Sequence, residues 1–450
     1  MSKRLKLPCQ QFTRYWLVLL MLLGTACMRY PVKPEGAKNY EAVRIEGLPL
    51  RQSVKYGIPY WIKYFKKSHF NSDTASFQTY RQAGLHQCSS DSMTGLRHCS
   101  HLLFTGDVMW IRNNWSGFLS PALHHHLAQA DLLFGNLETP IVPTKPAKHF
   151  WPDYARYNAS PDLLRSFTDS SGASLFAGLS LANNHATDMG IDGLTATLAF
   201  LQAQNIVPMG AATTDSLLLY HRFEHQGLRM GIHASSWGLN APADLQNPAL
   251  KIHTLPGLAY PYAAGAVRYD SCLRAISQMR QDGMDVVVLM LHWGYEYEYY
   301  PDSNIRQLAR ALSAAGADLI VGAHSHVIQP MEYLLKSPGK ESASTSAAHT
   351  LVYYSLGNFT TTMFTAACRL GLLTEIAVVK KPGEDIRLEA LPPTYVYNHI
   401  RGLAGRKREL LLIEPNHRPS QLSQREWRRV QKALRSIPGA VPAVSTKNRT

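Results

Sequence analysis

Asp107, Glu138, Asn184, His292, His324 and His326 are the side chains of this sequence best suited to holding a divalent ion. They fall in five short polar clusters, each just after a strand-like apolar run: Phe104-Thr105-Gly106-Asp107, Gly135-Asn136-Leu137-Glu138, Asn183-Asn184-His185, His292-Trp293-Gly294 and His324-Ser325-His326. Carboxylate, amide and imidazole donors together form the ligand set of a hard or borderline metal such as Mn, Fe or Zn. In extended chain, residues two apart point the same way, so His324 and His326 can address one centre. His185 titrates near neutrality when unperturbed and can protonate a leaving oxygen, with Asp188 three residues on to orient it. The chemistry indicated is that of a metal-dependent, phosphoesterase-like hydrolase centre holding one or two ions.

Residues spread over some two hundred positions meet only if their strands end together. Strand-like runs fall at 131–135, 174–181, 228–236, 285–291, 318–322 and 350–355. Helical periodicity lies between them at 191–204, 268–281 and 303–315, the last with Ile305, Leu308, Ala309 and Leu312 on one face. Strands alternating with helices predict an α/β fold with parallel pairing, whose strand ends share one crevice. Runs at 370–380 and 386–397 lack intervening helices and predict an antiparallel section. Glu296 and Tyr297, just after His292, read as a wall of the crevice. Asn358, in Ser355-Leu356-Gly357-Asn358-Phe359, either lines it or belongs to a structural turn. His124-His125-His126 is discounted as a ligand group, because consecutive helical residues diverge by about 100°.

The formal charge of +14 is confined to the ends. Residues 1–26 carry four basic groups and no acid, and 401–450 carry twelve basic groups against three acids, leaving a body that is close to neutral. The N-terminal basic residues precede the apolar run 16–23 and the small residues Gly24, Thr25 and Ala26, the pattern of an export signal over 1–26. Cys27 follows as in a lipoprotein cleavage motif, although Gly24 stands where Leu is usual. It predicts a lipid anchor on the membrane and a location in the cell envelope. Export excludes nucleic acid as a natural partner and permits a Cys88–Cys99 disulfide; two reduced thiols fit the spacing as well. Residues 27–100 read as a tether and N-terminal extension, 101–400 as the main domain. Residues 401–450 read as a basic tail, with 401–435 forming one helix that is either a solvated face or a contact for polyanions.

Seven motifs in order resemble the CapA family, the bacterial capsule and poly-γ-glutamate biosynthesis group. They are Gly106-Asp107, Asn136-Leu137-Glu138, Asn158-Ala159-Ser160-Pro161, Ala182-Asn183-Asn184-His185 with Asp188 and Gly190, His292-Trp293-Gly294 with Glu296-Tyr297, His324-Ser325-His326 with Gln329, and Ser355 to Phe359. The family is similar to calcineurin-like metallophosphoesterases, which implies a four-layer α/β/β/α sandwich. The resemblance assigns Glu138, Asn184, His292 and His324 to one ion, and Asp107, the bridging Glu138 and His326 to the other. It implies substrate contacts by Asn136, Glu296, Tyr297 and Asn358, and a substrate that is a phosphoester or an anionic envelope polymer. Where metallophosphoesterases carry a second histidine, two residues after the first aspartate, this chain has Met109. The Asp107 ion is then weakly held or absent unless another residue supplies the missing ligand. A non-catalytic factor that binds or transports the polymer in the same crevice is the alternative reading.

Overall fold

Each apolar run that precedes a polar cluster is a strand in the computed structural model, which describes Tyr64 and residues 99–437 except 112–114, 146–155, 216, 241, 256–267, 337–348, 380–385 and 402–406. Cys27, the signal over 1–26 and the Cys88 half of the expected disulfide lie outside the described residues. Cys272 and Cys368 are free and buried. The chain divides into two units, Met1–Lys66 and Lys67–Thr450, and every element below belongs to the second.

The strands are β1 (Cys99–Met109), β2 (Leu132–Glu138), β3 (Phe176–Ser180), β4 (Val207–Met209), β5 (Ala211–Ala212), β6 (His221–His225), β7 (Leu228–Ser236), β8 (Lys251–Ile252), β9 (Val286–His292), β10 (Leu319–Ala323), β11 (Met331–Leu335), β12 (His349–Tyr353), β13 (Asn358–Thr360), β14 (Leu370–Val379), β15 (Arg387–Ala390), β16 (Thr394–Arg401) and β17 (Lys407–Ile413). One sheet runs β17-β16-β14-β1-β2-β3-β4, with β13 beside β1 and β15 beside β14; a second runs β11-β12-β10-β9-β7-β6. The centres of both sheets, β1-β2-β3-β4 and β7-β9-β10-β12, pair in parallel as expected. The predicted antiparallel section is β14 with β15, β16 and β17.

The side chains that alternate along these strands sort themselves into separate cores. Val286, Val288 and Met290 of β9 join Leu102 and Phe104 of β1 in a cluster between the sheets. Val287, Leu289 and Leu291, on the opposite face of β9, pack against helices α4 (Asp270–Gln281) and α5 (Ser303–Ala314). Leu103 and Leu133 pack outward against α1 (Pro121–Leu127), α2 (Asp162–Arg165) and α3 (Gly190–Ala203). The packing order is helix, sheet, sheet, helix. A strand buried on both faces must be apolar at every position, which is why β9 reads as an unbroken Val/Leu/Met run. Helices need only one apolar stripe, and α4 and α5 each bury residues at three- and four-residue intervals. Among the described residues no helix is long and apolar enough to cross a membrane; β-barrel spans are a separate matter.

The C-terminal segment departs from the single basic helix expected over 401–435. Lys407–Ile413 is a strand at the edge of the first sheet, and helix α6 spans Gln424–Ser436. Lys407-Arg408-Glu409 followed by Leu410-Leu411-Leu412-Ile413 shows no alternation, and the strand is held by antiparallel pairing with β16. The first sheet has more strands than the second, and α6 packs Trp427, Val430, Ala433 and Leu434 into the same core as Tyr395, Tyr397 and Leu411. Its basic residues occupy the other face, and Ser423 caps its start by accepting from the Glu426 amide at 3.2 Å.

Away from the strand ends, Glu375 on β14 is clasped by His101 Nε2 at 2.9 Å and His126 Nε2 at 3.0 Å. Despite burial, which opposes ionisation, bonds from His101 and His126 hold its carboxyl down at about 2, and the Glu375 bond raises His101. The carboxylate contribution is complete above 4.5 and lost as pH falls through about 2; the His101 contribution is complete below 6.5 and lost as pH rises through its raised value. Both operate together between 4.5 and 6.5. Glu375→Gln is therefore expected to lower the melting temperature more at about pH 5.5 than at about pH 8. Equal losses at the two pH values in a thermal-melt series would refute the linkage.

Candidate metal centre

The parallel strands of both sheets end on one spot. Asp107 and Glu138 lie at or near the carboxyl ends of β1 and β2, and Asn183-Asn184-His185 follows β3. His292 closes β9, and His324 and His326 follow β10. Two close approaches bring these segments together. A Cβ on Gly106 would stand 1.9 Å from the Gly357 carbonyl oxygen, and one on Gly322 would stand 2.0 Å from that of Tyr354. Tyr297, His324 and His326 have φ of 62°, 94° and 58°, a conformation costing non-glycine residues about 1–3 kcal/mol each. The Tyr297 amide donates to the Ser325 carbonyl at 2.8 Å, tying the loop after β9 to the His-Ser-His segment.

The six expected ligands form two groups that share Glu138. Glu138, His292 and His324 bring ligand atoms within 4.8 Å of one another, as do Asp107, Glu138 and His326. His292 Nε2 is 2.7 Å from Asn184 Oδ1 and 3.5 Å from Glu138 Oε1, so Asn184 belongs to the first group. His326 Nδ1 is 3.5 Å from Asp107 Oδ2 and 3.9 Å from Glu138 Oε2. Asp107, Glu138, His324 and His326 are wholly buried.

Burial makes this cluster costly without a cation. Both oxygens of Glu138, and Nε2 of His326, have no hydrogen-bond partner among the described residues. Burial and then the neighbouring Asp107 push the Glu138 carboxyl well above its ordinary range. Burial drives His292 well down and His324 to about 3, leaving neutral imidazoles with lone pairs. His326 goes the other way: Glu138, Asp107 and Glu296 overcome its burial. Paired carboxylates with unsatisfied oxygens beside neutral imidazoles fit a divalent ion of Mn, Fe or Zn type.

His185 lies at the margin of the cluster, with Nε2 3.9 Å from Glu138 Oε1. Its Nδ1 meets Asp188 Oδ2 at 2.6 Å, and the Tyr157 amide donates to the same oxygen at 2.6 Å. The Tyr157 ring stacks on the imidazole at 4.0 Å. Asn136 and Asn358, which the family resemblance assigned to substrate, bond to side chains of the cluster. Asn136 Nδ2 donates to Asp107 Oδ1 at 2.8 Å, and Asn358 Oδ1 is 3.0 Å from His326 Nδ1. Glu296 is buried with Oε1 3.7 Å from His326 Nε2, and the Tyr297 ring lies 6.0 Å from that of His326.

Sequence reasoning missed Asn240, Asn183 as a positioning group, and Tyr157. Asn240 accepts from Asn184 Nδ2 at 2.9 Å, which turns Asn184 Oδ1 toward His292, and its own Nδ2 lies 3.1 Å from His185 Nδ1. Asn183 donates to Asn136 Oδ1 and to the Leu137 carbonyl. Asn240 sits in an ordinary Gly-Leu-Asn turn, with nothing local to distinguish it.

Two sheets whose parallel strands end on a buried carboxylate–imidazole cluster define a mixed α/β protein with a candidate two-ion centre. The model of the bacterial capsule synthesis protein PGA_cap family matches residues 101–363, and the chain belongs to that family, as the motif order implied. It is 31% identical over 234 residues to the PGA biosynthesis protein CapA of Bacillus subtilis, covering 51% of this chain and 53% of that protein. It is 26% identical over 238 residues to the capsule biosynthesis protein CapA of Bacillus anthracis, covering 52% and 51%. The chain spans about half the length of the curated relatives it matches. Among solved structures, the calcineurin-like phosphoesterase YfkN of Bacillus subtilis aligns at a TM-score of 0.34 and 15% identity, over 65% of this chain and 90% of that one. A TM-score that low carries no argument; the fold stands on its own sheet topology.

Metal binding has two mutational signatures. His292→Ala with His324→Ala is expected to lose at least one Mn, Fe or Zn ion per chain by elemental analysis. Glu138→Gln is expected to lose metal while the metal-free protein melts no lower than wild type, because the change removes a buried charge that repels Asp107. A clear fall in its metal-free melting temperature would contradict the electrostatic account.

Proposed function

We propose that this chain is an exported, lipid-anchored, metal-dependent hydrolase that acts in synthesis of a capsule or poly-γ-glutamate-type envelope polymer. The observation that carries the reading is the His185–Asp188 pair beside Glu138. A bond to the Asp188 carboxylate fixes the proton on Nδ1 and leaves Nε2 turned toward the centre. There it can hold a proton for the leaving oxygen of a phosphoester, or for the leaving group of an amide. Tyr157 stacked on one face keeps the ring from swinging away. Ions bound by Asp107, Glu138, Asn184, His292, His324 and His326 would polarise the scissile group and lower the pKa of water. Asn136 and Asn240 hold the ligand side chains in place, which keeps the reorganisation needed at the moment of reaction small. An anionic substrate suits a centre that holds cations, and the similar Bacillus subtilis protein is named a PGA biosynthesis protein.

His185→Ala is expected to reduce turnover of a phosphodiester or of poly-γ-glutamate oligomers by about 10²- to 10⁴-fold with metal content unchanged. Asp188→Asn should fall in the same direction. Unchanged turnover would remove His185 from the reaction. If metal-loaded wild type turns over neither substrate class and still binds poly-γ-glutamate, a polymer-binding assembly or transport factor is the correct account; Met109, beside Glu138 on the neighbouring strand, is the observation that favours it.

The anchor is tested separately. Cys27→Ser is expected to move the protein from the membrane fraction to the soluble exported fraction. Persistence in the membrane would show that lipidation at Cys27 is not what holds it.

A further inference from the structure

The outer face of α6 is a stripe of cations. Its exposed positions are Gln424, Arg425, Arg428, Arg429, Lys432 and Arg435. The five basic residues fall within an arc of about 120° and run for about 15 Å along the helix. Among the described residues Arg425, Arg428, Arg429 and Lys432 form no ion pair, and Arg435 Nε donates to the Gln431 carbonyl of its own helix at 3.2 Å. Glu426, the one acid of the helix, is engaged by the sheet instead: it accepts from Arg369 Nη2 at 2.9 Å and from Tyr397 OH at 3.1 Å. Like charges three and four residues apart repel along a helix, so this stripe opposes folding unless an anion covers it.

The stripe starts at the crevice end of the first sheet. β14 runs antiparallel to β1 with Thr374 opposite Phe104, so its first residues lie toward Asp107. Arg369, which holds Glu426, directly precedes β14. The residue before it, Cys368, accepts at its carbonyl from Asn358 Nδ2 at 2.8 Å, and Asn358 Oδ1 is 3.0 Å from His326 Nδ1. A short run of contacts thus joins the first turn of α6 to the buried cluster.

We infer that the outer face of α6 is a binding track for a linear polycarboxylate whose reacting unit lies at the cluster. This rests on reading the cluster as a centre that acts on an anionic polymer. Guanidinium forks match carboxylates, and a row of them suits a chain that repeats its charge. A membrane surface suits α6 less well. Helices that lie on lipid bury their apolar face in it, whereas Trp427, Val430, Ala433 and Leu434 of α6 are spent in the protein core, and none of its exposed positions is apolar.

The test uses the full chain carrying Cys27→Ser, so that no anchor contributes, loaded with Mn²⁺ and titrated with fluorescently labelled poly-γ-glutamate at low and high salt. This protein is expected to bind the polymer with an affinity that falls as salt rises. Adding Arg425→Gln, Arg428→Gln, Arg429→Gln and Lys432→Gln together removes four charges while keeping good helix formers. The combined variant should bind at least about tenfold more weakly at low salt and lose most of the salt dependence. It should keep its metal content and its turnover of a small phosphodiester, and melt no lower, since repulsion has been removed. Equal affinity and salt dependence in the two proteins would overturn the inference, whatever their turnover. Binding to phosphatidylglycerol vesicles and not to poly-γ-glutamate, lost in the variant, would overturn it in favour of a membrane surface. Salt-sensitive polymer binding that the variant loses, with no turnover of polymer or phosphodiester by either protein, would support the track and bring down the hydrolase reading alone.

Discussion

The structure turns on a buried carboxylate, Glu138, whose two oxygens meet no hydrogen-bond donor among the described residues. Asp107 stands on the neighbouring strand, and the two charges repel across a medium of low dielectric. Such a pair is tolerable when a cation takes up the charge, and the surroundings are built for that. His292 and His324 are held neutral by burial, Asn184 is turned with its oxygen inward, and Asn136 donates to Asp107. The carboxylate, imidazole and Asn184 oxygen atoms present electron pairs to one cluster, and the Asn136 N–H holds Asp107 in place beside it.

Holding that point requires backbone that resists relaxation. Three non-glycine residues around it are left-handed, and Gly106 and Gly322 sit where the smallest added side chain would collide with a neighbouring carbonyl. Strain of about 1–3 kcal/mol per residue persists only where the surrounding packing over-determines it. Here the packing comes from the apolar layer between the sheets and from the helices on their outer faces. The antiparallel extension and α6 enlarge the first sheet beyond the reach of the second and close its exposed face. The basic composition of α6 is thus a property of its solvent side, while its apolar stripe belongs to the core.

Membership of the capsule synthesis family covers residues 101–363, which contain the whole of the cluster. This chain differs from the metallophosphoesterase pattern at Met109, a change placed next to the shared carboxylate. The other group, Glu138 with Asn184, His292 and His324, comes from β2, the turn after β3, and the ends of β9 and β10. The His185–Asp188 pair lies outside both ligand groups, so proton handling and ion binding are separable in the architecture.

Much of the fold was legible in the residues alone, because a strand buried on both faces must be continuously apolar and a helix on its surface must repeat every three to four positions. Val286–Leu291 and Ile305–Leu312 follow those rules without ambiguity. The residues of the buried cluster were legible for a related reason: a carboxylate or imidazole at the end of such a strand has no packing role. The strand at Lys407–Ile413 was not legible, since three charged residues followed by an apolar run carry no strand period, and its place is set by pairing with β16. The sequence by itself therefore determined the α/β alternation and pointed to the polar residues that gather in the buried cluster; their division into two groups and the departure at Met109 came from the family resemblance. Tertiary structure alone decided that Asn136 and Asn358 face ligand side chains, that Asn240 orients Asn184 and His185, and that Glu296 stands across the His326 ring. Those contacts join segments up to 156 residues apart, between Asn136 and His292. Only the meeting of two sheets brings such groups within hydrogen-bond range, and no local pattern encodes the direction in which an amide will turn.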